Sequence, residues 1–192
     1  MLPQILETLK SKPKAIIFDL DGVLVDSSVR FKRLDLFAYE NKDKLAYIES
    51  LKQYSKDCFG DIIIDEGFNL LKSLMGFCPN IFFLTARGET GRKSTLAWIQ
   101  ENIYDPLILE ESTDTFNWSL IMQPENLDYL DDFNFSTQYE HAQYKKNKAK
   151  KLMEQYEIIY AVDDSWLNCE AFISLGITTL HFVKPNLGRV LV

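Results

Sequence analysis

The strongest constraint on how this chain folds is a regular alternation between two kinds of segment. Short, almost uninterrupted apolar runs occur at "KAIIFDL" (14–20), "PNIFFLTAR" (Pro79 to Arg87), "WSLIM" (Trp118 to Met122), "EIIYAVDD" (Glu157 to Asp164) and "ITTLHFV" (Ile177 to Val183). Runs of this length without polar alternation suit strands covered on both faces. Between them, apolar residues recur at helical spacing. "DEGFNLLKSLMGF" carries Phe68, Leu70, Leu71, Leu74 and Met75, and "ETGRKSTLAWIQENI" carries Leu96, Ile99 and Ile103. "KKNKAKKLMEQY" uses Ala149, Leu152, Met153 and Tyr156, and "SWLNCEAFISLG" opens on Ser165 as a capping residue and closes on Gly176. Strands alternating with helices predict an α/β fold built on a doubly wound parallel sheet.

The 192 residues suit a single domain, 1–192, with a small helical insert after the first strand at 27–60 ("RFKRLDLFAYENKDKLAYIESLKQYSK"). A second irregular stretch, 123–140, is acidic and turn-rich, and long irregular connections often carry function. The N-terminus reads as a short amphipathic helix, too polar for a secretory signal. No apolar run approaches the roughly 18 residues of a membrane span. Cys58, Cys78 and Cys169 are scattered and show no C-x-x-C spacing, so neither a zinc site nor a disulfide framework is expected. A reducing, cytoplasmic setting is the simpler expectation. The net charge of −7 argues against nonspecific nucleic-acid binding, although "YKKNKAKK" is locally basic.

In parallel α/β sheets, ligands bind beyond the carboxyl ends of the strands. The first strand delivers Asp19 and Asp21 there, the second Thr85 and Arg87, and the fourth Asp163 and Asp164. Carboxylates collected on apolar strands repel one another and resist burial unless something positive compensates. Carboxylate-rich ends without histidine suit a hard, oxygen-seeking cation, Mg²⁺, which also bridges to phosphate. A lysine from the helix before the fourth strand would add a second positive charge. His141 is expected to be exposed, and His181, inside an apolar strand, to be structural. A calcium loop at Asp19–Gly22 fails, because Val23 and Leu24 stand where an oxygen ligand and a glycine are required.

"FDLDGVLVD", "FFLTAR", a lysine-led helix and "YAVDDSWLN", in that order, resemble the four motifs of the haloacid dehalogenase (HAD) superfamily of aspartate-nucleophile phosphatases. The resemblance implies a Rossmann-like core. It implies Asp19 as nucleophile and metal ligand, and Asp21 as general acid and base, with its backbone carbonyl completing the metal site. Thr85 would hold a phosphoryl oxygen, helped by backbone N–H groups near Leu20 and Ala86. Asp164 would bind the metal, with Asp163 beside it as ligand or support. Lys145 fits the motif lysine, since the helix's apolar face begins just after it; Lys146 and Lys148 stay open.

A narrower resemblance links "LTARGETGRKSTLAWIQENI" to the phosphatase domain of phage-type polynucleotide kinase/3′-phosphatases, with Arg87, Glu89, Arg92, Thr95 and Trp98 at matching positions. Gly88 and Gln123 depart from that pattern, and no kinase P-loop is present. Asp26 and Arg30 match its extended first motif. Arg30, Arg87 and Lys148 join Leu20 and Ala86 as residues expected to meet phosphate or substrate, with surface ion pairing an open alternative for Arg30. The expected function is a Mg²⁺-dependent phosphomonoesterase acting through an aspartyl-phosphate on nucleotide-like or other small phosphomonoesters. A polynucleotide 3′-phosphatase acting on nucleic-acid ends is the alternative. A phospho-receiver module and an inactive HAD scaffold that only binds are the remaining readings.

Overall fold

The computed structural model describes residues 11–111, 116–124 and 137–183. Strand β1 (Lys14–Phe18) lies at the centre of a five-stranded sheet. On one side it pairs with β4 (Asn80–Gly88), which pairs with β5 (Asn117–Gln123); on the other it pairs with β6 (Glu157–Asp163), then β7 (Thr179–His181). Every pairing in this sheet is parallel.

The continuous apolar runs have the expected cause. Alternate residues of each strand face opposite layers. Ile16 and Phe18 of β1, with Ile81 and Phe83 of β4, belong to one core; Ala15, Ile17, Phe82 and Leu84 belong to the other. The first core is closed by Leu71 and Leu74 of the helix Asp65–Met75 and by Trp98 and Ile99 of the helix Arg92–Ile99. The second is closed by Ala149 of the long helix Thr137–Gln155 and Phe172 of the helix Trp166–Ile173.

Helices are numbered in chain order. The segment after β1 holds α1 (Ser28–Phe31), α2 (Leu36–Glu40) and α3 (Lys44–Lys56), the last capped where the Asp43 side chain accepts from the Ala46 N–H at 3.1 Å. Its two ends are clipped together by an antiparallel pair that the sequence did not announce, β2 (Val25–Asp26) with β3 (Ile62–Ile63). Then follow α4 (Asp65–Met75), α5 (Arg92–Ile99), α6 (Asp105–Glu111), α7 (Thr137–Gln155) and α8 (Trp166–Ile173).

Some expected boundaries move. Glu89–Gly91 is a 3₁₀ turn, and α5 widens into a π turn at Gln100–Tyr104 before α6. Pro106 follows immediately, and its nitrogen cannot donate back into the preceding turn. The widening keeps Ile99, Ile103 and Leu107 all buried. Ser165 stands at the start of α8 but makes no capping bond with its side chain; instead its N–H donates to Asp163 Oδ1 at 3.0 Å. The expected N-terminal helix and the centre of the acidic stretch lie largely outside the described residues.

Candidate active site

The site forms where β1, β4 and β6 end. Beyond Phe18 the chain turns tightly: the N–H groups of Val23, Leu24 and Val25 all donate to the Leu20 carbonyl, and Gly22 N–H donates to the Val25 carbonyl. This turn presents Asp19 and Asp21 in different directions. Asp19 faces β6 and α7. Its Oδ1 accepts the Leu20 N–H at 2.8 Å, and its Oδ2 lies 2.8 Å from Lys145 Nζ. Lys145, only 1% exposed, also reaches Asp163 Oδ2 at 2.7 Å. The other Asp163 oxygen accepts from Ser165 N–H and Asn168 Nδ2. Asp163 is thus fully engaged as a support, whereas Asp164 opens toward the cleft.

The charges do not balance locally. Asp19, Asp163 and Asp164 each bring an oxygen within 4.8 Å of the others, facing one ammonium. Burial pushes the Asp19 carboxyl well above its usual range; Lys145 opposes this, and Asp163 and Asp164 add to it. Asp164 is raised by its own burial and by Asp163. Burial would lower Lys145, but Asp163 and Asp19 more than reverse it, so the ammonium stays protonated. An all-oxygen donor set short of positive charge fits a hard divalent cation such as Mg²⁺, with Asp19 and Asp164 the two of the three carboxylates that line the cleft.

Gly22 makes this arrangement possible. It sits at φ +84°, and a Cβ there would come within 2.0 Å of Asp164 Oδ2. Gly22→Ala is therefore expected to displace the Asp164 carboxylate and cost about 1–3 kcal/mol in backbone strain. Thermal unfolding and calorimetric Mg²⁺ titration check this; unchanged cation affinity would contradict it.

Asp21 points the other way, into a second charged cluster. Arg87 grips it at both oxygens, Nε to Oδ2 at 2.7 Å and Nη2 to Oδ1 at 2.8 Å. Arg30 Nη2 adds a third bond at 3.0 Å. Burial alone would raise the Asp21 carboxyl, but Arg87 and Arg30 overcome it and hold it below the ordinary carboxylate range. Asp61, invisible to the motif reading, binds both arginines from the far side. No spacing rule points to it, because only the β2–β3 clip brings it beneath the first-strand turn.

A cleft of about 740 Å³ opens over these groups, lined among others by Asp19, Asp21, Ala86, Lys145, Asp164 and Asn168. His141 also lines it, contrary to the expectation of an exposed ring; burial and nearby Lys145 lower its basicity. His181 is exposed at the end of its strand, its Nε2 3.0 Å from the Asp164 carbonyl oxygen. Leu20 and Thr85 are buried at the strand ends, and Thr85 Oγ1 accepts the Arg87 N–H at 3.2 Å. Arg30 and Arg87 do not line the cleft, since acid partners consume both guanidiniums. Lys148 is not at the site either: its Nζ lies 5.6 Å from the centre of the Tyr144 ring.

Comparison with known proteins bears on the fold and on the family. No curated protein matches the chain in sequence. In fold, the chain is similar to part of the Pnkp1/Rnl/Hen1 RNA repair complex, with a TM-score of 0.55 and 16% identity over 89% of this chain. It is also aligned with a class C acid phosphatase from Bacillus anthracis with tungstate bound (TM-score 0.47, 13% identity, 85% of this chain). A third alignment is with a HAD family enzyme from Bacteroides thetaiotaomicron in complex with magnesium and inorganic phosphate (TM-score 0.43, 14% identity, 94% of this chain and 100% of the other). The chain spans 42% and 56% of the first two chains. The family model described as HAD superfamily, subfamily IIIB (Acid phosphatase) matches residues 3–185, nearly the whole sequence, and the chain therefore belongs to that family of phosphatases.

Proposed function

We propose that this phosphatase is a Mg²⁺-dependent phosphomonoesterase acting through an aspartyl-phosphate on Asp19. One observation carries the reading: Asp19 at once pairs with Lys145, joins the carboxylate cluster and lines the cleft. When bound, Mg²⁺ supplies charge neutralisation and orientation of the phosphoryl group.

The chain's own residues supply the rest. Lys145 works against the burial that disfavours the Asp19 charge, and a carboxylate oxygen of Asp19 attacks phosphorus while the bond to the leaving oxygen breaks. Arg87 and Arg30 favour the Asp21 carboxylate, so the proton that Asp21 hands to the leaving oxygen is one it first takes from the phosphomonoester monoanion. Asp21 then takes one from water, whose oxygen attacks phosphorus and releases Asp19 as carboxylate. Asp163 orients Lys145, the Asp21 backbone carbonyl serves the cation site, and Thr85 and the Leu20 and Ala86 N–H groups form the phosphoryl cradle. Residues 27–60 act as a partial lid on a single domain.

An open cleft suits nucleotide-like or other small phosphomonoesters. A second reading, a polynucleotide 3′-phosphatase, draws on the fold shared with part of an RNA repair complex. Three unpaired cysteines suit a reducing, cytoplasmic setting. Among the described residues no helix is long and apolar enough to cross a membrane.

The test is hydrolysis of p-nitrophenyl phosphate with Mg²⁺ and after chelation, then of nucleoside monophosphates beside 3′-phosphorylated oligonucleotides. Chelation is expected to remove at least about 99% of turnover, several kcal/mol of transition-state stabilisation being lost. Full activity without divalent cations would overturn the metal reading. Turnover confined to oligonucleotides, and strongly weakened by salt, would select the second substrate class.

A further inference from the structure

We infer that Asp61 is a positioning residue that aims the Asp21 carboxylate, acting through Arg30 and Arg87. The inference rests on the reading of Asp21 as the proton donor. Four side chains alternate in charge around a closed ring. Arg30 Nη2 and Arg87 bind Asp21 on the cleft side, while Arg30 Nε reaches Asp61 Oδ1 at 2.9 Å and Arg87 Nη2 reaches Asp61 Oδ2 at 2.8 Å behind them. The Asp61 side chain is completely buried and does not line the cleft, so it acts only through the arginines.

With all four members the ring is neutral. Without Asp61, two buried guanidiniums would face one carboxylate, and their mutual repulsion would drive one aside. Asp21 would then lose either its two-point grip or its third bond. A fixed carboxylate direction matters because proton transfer requires the donor within hydrogen-bond reach of the leaving oxygen.

The backbone is built to present Asp61. Its N–H donates to the Cys58 carbonyl, closing a turn through Gly60 at φ +85°. A Cβ on Gly60 would lie 2.7 Å from Val29 Cγ1, so the turn packs directly beside Arg30. The Asp61 carbonyl accepts from Trp98 Nε1 at 3.3 Å. Arg30 is further held by the Tyr54 carbonyl at 3.3 Å and stacks 4.4 Å from the Tyr54 ring centre. Arg30, Tyr54 and Asp61 thereby set the geometry of Asp21 without lining the cleft themselves.

Leaving-group dependence tests this. The p-nitrophenolate leaves without a proton, whereas an alkoxide needs one. Asp61→Asn is expected to lower kcat/KM for an alkyl phosphomonoester at least about tenfold more than for p-nitrophenyl phosphate, in the direction shown by Asp21→Asn. Asp61→Asn with Arg30→Gln removes one charge of each sign. It is expected to regain thermal stability while keeping the selective loss, and it replaces the single variant if that does not fold. Equal loss on both esters, or none, in a protein where Asp21→Asn is selective overturns the inference and leaves the Asp21 reading standing. Absence of selectivity in Asp21→Asn overturns both.

Discussion

Asp19→Asn is expected to abolish turnover, by about 10³-fold or more, without unfolding the protein. The amide can still accept the Leu20 N–H through its oxygen, so the turn after β1 survives. It cannot attack phosphorus. The substitution also removes one of three clustered carboxylates, from a position where burial already disfavours the charge. Melting of the cation-free variant is therefore expected at or above the wild-type temperature, a gain in stability at the expense of activity. Steady-state hydrolysis of p-nitrophenyl phosphate, acid-quench trapping of phosphoprotein and thermal melting check the three parts. Turnover surviving in Asp19→Asn, or phosphoprotein still trapped in it, would sink the covalent mechanism.

Lys145→Met is expected to do the opposite to stability. Methionine fills much of the same volume but leaves Asp19 and Asp163 without their ammonium, and breaking a buried ion pair from one side costs about 3–5 kcal/mol. Activity is expected to fall at least about 10²-fold, because the ammonium also stabilises the transferring phosphoryl.

The sign of the pH dependence follows from the shifts. Lys145 is raised in the folded protein, so its contribution is fully present below the ordinary lysine range and fades only as pH rises beyond it. Between pH 5 and 9 the wild type keeps it whole. In the variant the uncompensated carboxylates favour protonation, so folding weakens as pH rises above about 4, the unfolded carboxylate value. The stability gap is therefore expected to widen from acid to neutral pH and to narrow when Mg²⁺ is added. Melting curves for both proteins across that range, with and without Mg²⁺, check it; a constant gap indifferent to the cation would count against the cluster as described.

The parallel sheet and its order of strands and helices follow from local pattern. β1 reads as doubly covered because Ile16 and Phe18 enter one core while Ala15 and Ile17 enter the other. The position of Lys145 could be argued from its sequence too, since it precedes Ala149 by one helical turn on the buried side. Such features have a period of two or about 3.6 residues, and periodicity survives in a linear string.

The partners of Asp21 do not. Arg30 and Arg87 read as substrate contacts from the motif resemblance, with ion pairing left open for Arg30. The structure turns both toward Asp21 and Asp61, 31 residues from Arg30 and 26 from Arg87. That pairing depends on the β2–β3 clip and on a turn at Gly60, neither of which has a repeating signature.

By itself, then, the sequence determined the α/β architecture, the family resemblance and which carboxylates gather at the strand ends. Strand direction and helical phase are local properties, encoded residue by residue. Only the tertiary structure decided that Asp19 and Asp21 stand in different electrostatic surroundings, one short of positive charge and the other enclosed by it. The reason is physical: a carboxylate's state is set by the charges and the water around it, and those neighbours come from distant parts of the chain.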